Sequence, residues 1–401
     1  MDAPLFRSIL PPFSARPGAA TRCAAALVGA LLLVAAGPAL AQRFTTPVPH
    51  ALLLEAETGT VLFHKNADAR MPPASLAKLM TMAVVFDALE TGQLSLEDEF
   101  VVSENAWRTG GAMSGGSTMF AALGSSIPVA DLIRGVVVQS GNDACIIIAE
   151  GMAGTEATFA DLMNAQARRL KLTGSRFTNA TGLPDPDQYV TAHDLATIAK
   201  HIIYDYPHYY AIYSEPAFTW NKIFQRNRNP LLDMNIGADG LKTGYTAESG
   251  YGLVGSAVRD GQRLILVING ADSEKQRAEE ARKLMDWGFR AFDRVSLFAD
   301  DEVIAEASVF GGDRSSVGLV SRGPVEVFVP RGSLDLIDAR VVYQGPIAAP
   351  VDRGQMVGTL QISLEDEILR DAPVYAADNV ATGSLTQRAA DGLMELLLGW
   401  W

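Results

Sequence analysis

The chain has 401 residues, 48% of them hydrophobic and 20% charged, the balance of a globular protein long enough for two domains. A formal net charge of −13 excludes nucleic acid as a general partner, and any anionic substrate must be met by local cations. Two cysteines in the whole chain exclude a disulfide scaffold.

Residues 1–41 read as a signal peptide. Arg7, Arg16 and Arg22 make a basic start, Ala24 to Ala36 an apolar run, and Ala39-Leu40-Ala41 a small-residue cleavage site before Gln42. The run is short for a membrane span, and Gly37-Pro38 closes it. Export across an inner membrane is expected, leaving a chain of net charge about −15 once the leader's three arginines and Asp2 are gone. Cys23 leaves with the leader. Cys145, alone on an apolar helix, reads as a packing residue, so stability must come from the core.

Ala51 to Ala56 and Thr60 to His64 read as a hairpin around Glu57-Thr58-Gly59. Met71 to Gly92 follows, with Pro72-Pro73 at a helix entry and apolar residues on nearly every face, the pattern of a helix buried all round. Ser75 and Lys78 stand at its mouth, three residues apart and on one face. A serine hydroxyl is a weak nucleophile until a base takes its proton, and an amine in apolar surroundings has its charged form disfavoured. The helix N-terminus and the Ser75 backbone N–H suit a developing oxyanion.

Helices are predicted over much of 92–204: Val129 to Val138, Asp143 to Met152, Thr158 to Leu170, and one opened by Thr191-Ala192-His193-Asp194 as a capping box. Ser140-Gly141-Asn142 lies between the first two. Ser140 offers a proton-passing hydroxyl, and Asn142 can fix the lysine or hold a substrate amide; the same residues also read as ordinary cap chemistry. Strands are predicted at Gly240 to Thr246, Tyr251 to Ala257 and Arg263 to Asn269. Lys242-Thr243-Gly244 lies on the first, where a cation suits a carboxylate and an edge can pair with an extended peptide. Arg277, on the helix Glu274 to Phe292, reads equally as a second carboxylate contact or as part of a solvated face. The histidines show no metal spacing, and no cofactor or metal is expected.

These elements predict an α+β fold, an antiparallel sheet with a helical insertion over 42–292. Short β-rich runs separated by Gly, Pro and Asp make 293–383 an all-β domain. Residues 384–401 form an amphipathic helix, with Leu385, Ala389, Leu393, Leu396 and Trp400 on one stripe and Arg388, Asp391, Gly392, Glu395 and Gly399 opposite. It suits a membrane interface or docking on the β domain.

Ser-x-x-Lys, Ser-Gly-Asn and Lys-Thr-Gly in this order are the signature types of penicillin-binding proteins and class A β-lactamases. With Leu132-Ile133-Arg134-Gly135, Asn179-Ala180-Thr181-Gly182-Leu183 and Trp287-Gly288-Phe289-Arg290, residues 45–292 resemble the low-molecular-mass penicillin-binding proteins that are D-alanyl-D-alanine carboxypeptidases. The β domain and tail resemble their membrane-attached members. The resemblance implies a penicillin-binding, serine β-lactamase-like transpeptidase domain acting on peptidoglycan stem peptides ending in D-Ala-D-Ala, at the periplasmic face of the inner membrane. It implies an acyl-enzyme on Ser75, with Lys78 as base, Ser140 and Asn142 as second element, and Lys242, Thr243 and Gly244 as third. Arg277 would assist at the terminal carboxylate, the backbone of Ser75 and Tyr245 would form the oxyanion hole, and β-lactams would acylate Ser75. Tyr245 departs from the histidine that many relatives carry after Lys-Thr-Gly. Rival readings are a D,D-endopeptidase with the same machinery, a class A β-lactamase, and a non-catalytic wall-binding protein. The β-lactamase reading lacks a well-placed glutamate, since Glu215-Pro216 lies close to Lys242 without the expected Leu-Asn. A wall-binding protein would be expected to lack Ser75 or Lys78.

Overall fold

The computed structural model describes residues 44–365 and 367–398. The leader at 1–41 and Gly399 to Trp401 lie outside the described residues.

Strands β1 (His50–Glu55) and β2 (Val61–Lys65) pair as the predicted hairpin. Its turn is held by the Glu55 carboxylate, which accepts the N–H groups of Glu57 and Thr58 at 3.1 and 2.7 Å. β3 (Ala238–Thr246), β4 (Gly250–Arg259) and β5 (Gln262–Ala271) complete an antiparallel sheet of order β2-β1-β5-β4-β3. Between β4 and β5, Asp260 and Gly261 both take left-handed φ, 49° and 79°, as a two-residue I′ turn requires.

The period of two along each strand serves two cores. Leu52, Leu54, Ile265 and Val267 face one, and Leu53, Leu264, Leu266 and Ile268 the other. The first is filled by α1 (Lys78–Glu90), α2 (Val129–Val137), α3 (Asn142–Ala153), α4 (Glu156–Arg169) and α5 (Ala192–Asp205). Lys78 to Phe86 are buried without a break, so α1 is enclosed on every face as its composition predicts. The second core is covered by α6 (Glu274–Ala291). The helix comes so close that a Cβ on Gly288 would stand 2.4 Å from Leu53 Cδ2.

Three local predictions change. Thr191 caps α5, accepting from the Asp194 N–H at 3.1 Å, but the Asp194 carboxylate does not reach back; it accepts instead from Gly174 N and Ser175 Oγ at 2.9 and 2.6 Å. The capping box is half made because that carboxylate ties down the preceding loop. A hairpin, Ala217–Trp220 with Ile223–Arg226, was not anticipated; its strands are four residues each, too short to show alternation. Residues 111–125 are mostly irregular rather than helical.

Beyond α6 the chain is β until its final helix, apart from a 3₁₀ turn at Leu334–Leu336. The predicted β-rich region forms strands Val303–Phe310, Ser316–Val320, Val325–Pro330, Ile337–Tyr343 and Met356–Leu364, joined by Phe292–Phe298, which pairs with Val325–Pro330, and Glu367–Ala376, which pairs with Met356–Leu364. Val325, Val327 and Val329 enter the core of this β unit, whereas Phe328, on the opposite face of the same strand, enters the core beneath α6. Arg294 adds a polar clamp between Glu57 Oε2, at 3.2 Å, and Glu326. α7 (Leu385–Leu398) meets the β unit with its polar side, Asp391 accepting from Gly311 N at 2.9 Å. Leu385 and Leu393 remain 76% and 61% exposed. No helix among the described residues is long and apolar enough to cross a membrane.

Candidate active site

Ser75 lies not in α1 but in the 3₁₀ turn Ala74–Ala77 that precedes it, and Lys78 is the first residue of α1. A 3₁₀ turn eclipses residues i and i+3, which brings Lys78 Nζ to 2.9 Å from Ser75 Oγ. The Lys78 amine also donates to Asn142 Oδ1 at 2.8 Å and to the Thr181 carbonyl at 2.6 Å. Its side chain has no exposed area, and burial holds its pKa below the ordinary lysine value. Two of its N–H groups are committed to carbonyls, so an amine that has lost its proton would have its lone pair left for the serine hydroxyl.

Glycines permit this convergence. Gly182 has φ +81°, and a Cβ there would stand 1.8 Å from the Ala74 carbonyl oxygen. At Gly244 a Cβ would stand 3.2 Å from both the Ser75 and Leu76 backbone nitrogens. The Ser75 amide therefore faces β3 beside Tyr245, the two positions predicted for an oxyanion hole.

Ser140 has φ +65°, uncommon for a residue with a side chain and a form of backbone strain that concentrates at functional sites. The next element over is held by Asp143. Its buried carboxylate accepts from Met119 N, Ala121 N and Ala144 N at 2.9, 3.1 and 3.0 Å, and from Thr118 Oγ1 at 2.6 Å. Asp143 was read only as the start of a helix, yet it ties the segment 118–121 to the helix that follows Ser140 and begins at Asn142.

Lys242 is 3% exposed and donates to Ser140 Oγ at 2.8 Å and to the Thr243 carbonyl at 2.9 Å. Burial, then the neighbouring Lys78, push its pKa well down. Its amine is thus hydrogen-bonded to the second motif and enclosed beside the open cleft. The cleft of about 620 Å³ is lined instead by Ser75, Ser140, Asn142, Thr243, Arg228 and Arg277, among others. Arg277 is 7% exposed, which removes the solvated-face alternative, and its Nε has no hydrogen-bond partner. Arg228 donates to Ser117 Oγ at 2.6 Å across the cleft. Sequence reasoning missed Arg228, which lies in a loop with no periodic pattern. Cys145 is buried, and burial pushes its thiol up to about 12, in keeping with a packing role.

The three motifs therefore converge on one cleft. Residues 40–273 match the family described as D-alanyl-D-alanine carboxypeptidase, and residues 292–382 match the C-terminal domain of penicillin-binding protein 5. The chain belongs to the D-alanyl-D-alanine carboxypeptidase family. Within that family it is 40% identical to Escherichia coli D-alanyl-D-alanine carboxypeptidase DacC over 92% of this chain and 95% of that protein. It is 36% identical to DacA of the same organism over 87% of each chain. Among solved structures it resembles penicillin binding protein 5 from Haemophilus influenzae, with TM-score 0.76 and 37% identity over 85% of this chain and 99% of that one. The catalytic unit with its appended β unit is thus an architecture that this chain shares with these relatives.

Proposed function

We propose that this protein is a penicillin-sensitive serine carboxypeptidase that removes the terminal D-alanine from peptidoglycan stem peptides. The observation that carries the reading is Lys78 Nζ, buried, 2.9 Å from Ser75 Oγ and fixed by two carbonyl acceptors. Lys78 takes the Ser75 proton as Ser75 Oγ attacks the carbonyl of the penultimate D-alanine. The oxyanion is received by the backbone N–H groups of Ser75 and Tyr245. Ser140, hydrogen-bonded to Lys242, passes the proton that Lys78 took from Ser75 on to the leaving amine, which returns Lys78 to its neutral form. Asn142 keeps Lys78 in place, and Gly244 lets β3 approach the nucleophile. The substrate's free carboxylate lies between Thr243 and Arg277, the buried guanidinium supplying the charge that Lys242 spends on Ser140. Water then hydrolyses the acyl-enzyme. A β-lactam acylates Ser75 by the same attack.

The segments are assigned as a leader at 1–41, catalytic domain at 42–292, β domain at 293–383 and anchor at 384–401. The exposed Leu385 and Leu393, opposite a polar side held by the β unit, support peripheral attachment to the periplasmic face of the inner membrane. Deleting 385–401 should release the protein from sedimenting membranes; a truncated form that still sediments removes the anchor. Ser75→Ala should abolish both labelling by fluorescent penicillin and D-alanine release from diacetyl-L-Lys-D-Ala-D-Ala. Retained release would overturn the mechanism.

A further inference from the structure

Arg277 raises a physical problem that the three motifs do not answer. Its guanidinium is almost fully buried and its Nε has no acceptor; among the described residues Glu274, on the same helix, acts on it as a counter-charge but makes no hydrogen bond or close ion pair with it. Arginine carries large rotamer entropy, so something other than a hydrogen bond must hold its fork in one orientation. What lies against it is an aromatic face: the Tyr251 ring centroid is 5.7 Å from Arg277 Cζ, within the range of a cation–π contact.

The ring is itself held. Tyr245 and Tyr251 are direct partners in the β3–β4 register, so their side chains emerge on the same face of the sheet. They stack with centroids 4.1 Å apart and planes inclined by 27°. Tyr245 is 53% exposed, so it covers Tyr251 from the solvent side. The resulting order is Tyr245, Tyr251, guanidinium, and all three residues line the catalytic cleft. A face contact leaves the N–H edge of a guanidinium free, and that edge donates to a carboxylate.

We propose that Tyr251, backed by Tyr245, is a positioning residue that presents the edge of Arg277 to the substrate's terminal carboxylate. The inference rests on the reading of Arg277 as the carboxylate contact. It gives the residue after Lys-Thr-Gly a side-chain task separate from its backbone N–H: the ring at position 245 sets how firmly the carboxylate site is held.

The test is a double-mutant cycle on the full chain, read as kcat and KM for diacetyl-L-Lys-D-Ala-D-Ala, with circular dichroism to check folding. Tyr251→Leu should raise KM about five- to tenfold with a smaller change in kcat, the scale of one lost cation–π contact. Tyr251→Phe, which keeps the ring, should restore KM to within about twofold of the parent. In an Arg277→Ala background the Tyr251→Leu change should have little further effect on kcat/KM. Tyr245→Leu, at an exposed position that does not threaten folding, should shift KM in the same direction by a smaller factor. Equal effects of Tyr251→Leu with and without Arg277, or failure of Tyr251→Phe to restore KM, would overturn the proposal. If Tyr251→Leu does not fold, an unchanged KM in Tyr245→Leu would overturn it. An Arg277→Ala enzyme with unchanged kcat/KM would instead remove the carboxylate reading beneath it, so the two failures are distinguishable.

Discussion

Gly182→Ala tests whether catalysis depends on the contact between the 3₁₀ turn and the loop behind it. The glycine sits at φ +81°, where an alanine costs roughly 1–2 kcal/mol in backbone conformation alone. The added Cβ would also stand 1.8 Å from the Ala74 carbonyl oxygen, a backbone atom that cannot rotate away. Relief requires the turn and the loop to separate by more than about 1 Å, and a displacement of that size at a reacting group can cost about a hundredfold in rate. The same movement stretches the 2.6 Å bond from Lys78 to the Thr181 carbonyl, which fixes the direction of the amine. The expected outcome is a fall of about a hundredfold in the second-order rate of acylation by fluorescent penicillin. Thermal unfolding should show a stability loss of about 2–4 kcal/mol. Acylation within threefold of the parent would refute the claim that this contact sets the Ser75–Lys78 geometry.

Two further outcomes follow from other parts of the structure. Because Lys78 must be neutral to accept a proton, kcat/KM should rise with pH through its pKa and then level off. Burial lowers that pKa, so the plateau should begin below the ordinary lysine value of 10.5; an acid limb centred at that value would contradict the desolvated amine. Phe328→Ala should cost about 3–5 kcal/mol in denaturant unfolding, since it empties a fully buried ring site beneath α6. As Phe328 lines no part of the cleft, penicillin acylation of the folded variant should stay within about twofold of the parent, and a loss below 1 kcal/mol would mean that the ring joins nothing.

Much of the site was legible because its chemistry resides in side chains at short spacings. Ser75 and Lys78 meet through one turn, and Ser140 and Asn142 are separated by a single residue, so local sequence already carries their proximity. What stayed hidden depends on contacts between distant segments. The Thr181 carbonyl is a backbone group, and no residue type announces it. Asp143 has the ordinary look of a cap residue; only the fold shows that four donors from 118–121 and 144 converge on its carboxylate. Lys242 and Arg277 are a further case. Charge alone suggested that both meet the carboxylate; that Lys242 hydrogen-bonds Ser140 and that Arg277 lines the cleft emerge only from the fold. The sheet was readable from its short apolar runs bounded by turn residues, but the Ala217–Trp220 and Ile223–Arg226 strands are too short to carry that signal.

The burial of two lysines in one cleft has a consequence for how charge is distributed there. Lys78 and Lys242 are each depressed by desolvation, and the neighbouring Lys78 further disfavours the charged form of Lys242. Asp143, the nearby buried acid, already accepts four hydrogen bonds, three of them from 118–121, so it makes no hydrogen bond to the amines. Arg228 and Arg277 add cations whose own pKa values are lowered by burial. Glu274 also lines the cleft and offsets part of this excess of basic groups beside Arg228 and Arg277. On the proposed reading an incoming carboxylate adds further counter-charge beside Arg277, while Lys78 remains directed at Ser75 by two neutral carbonyls. Substrate recognition and activation of the nucleophile would then fall to different cations.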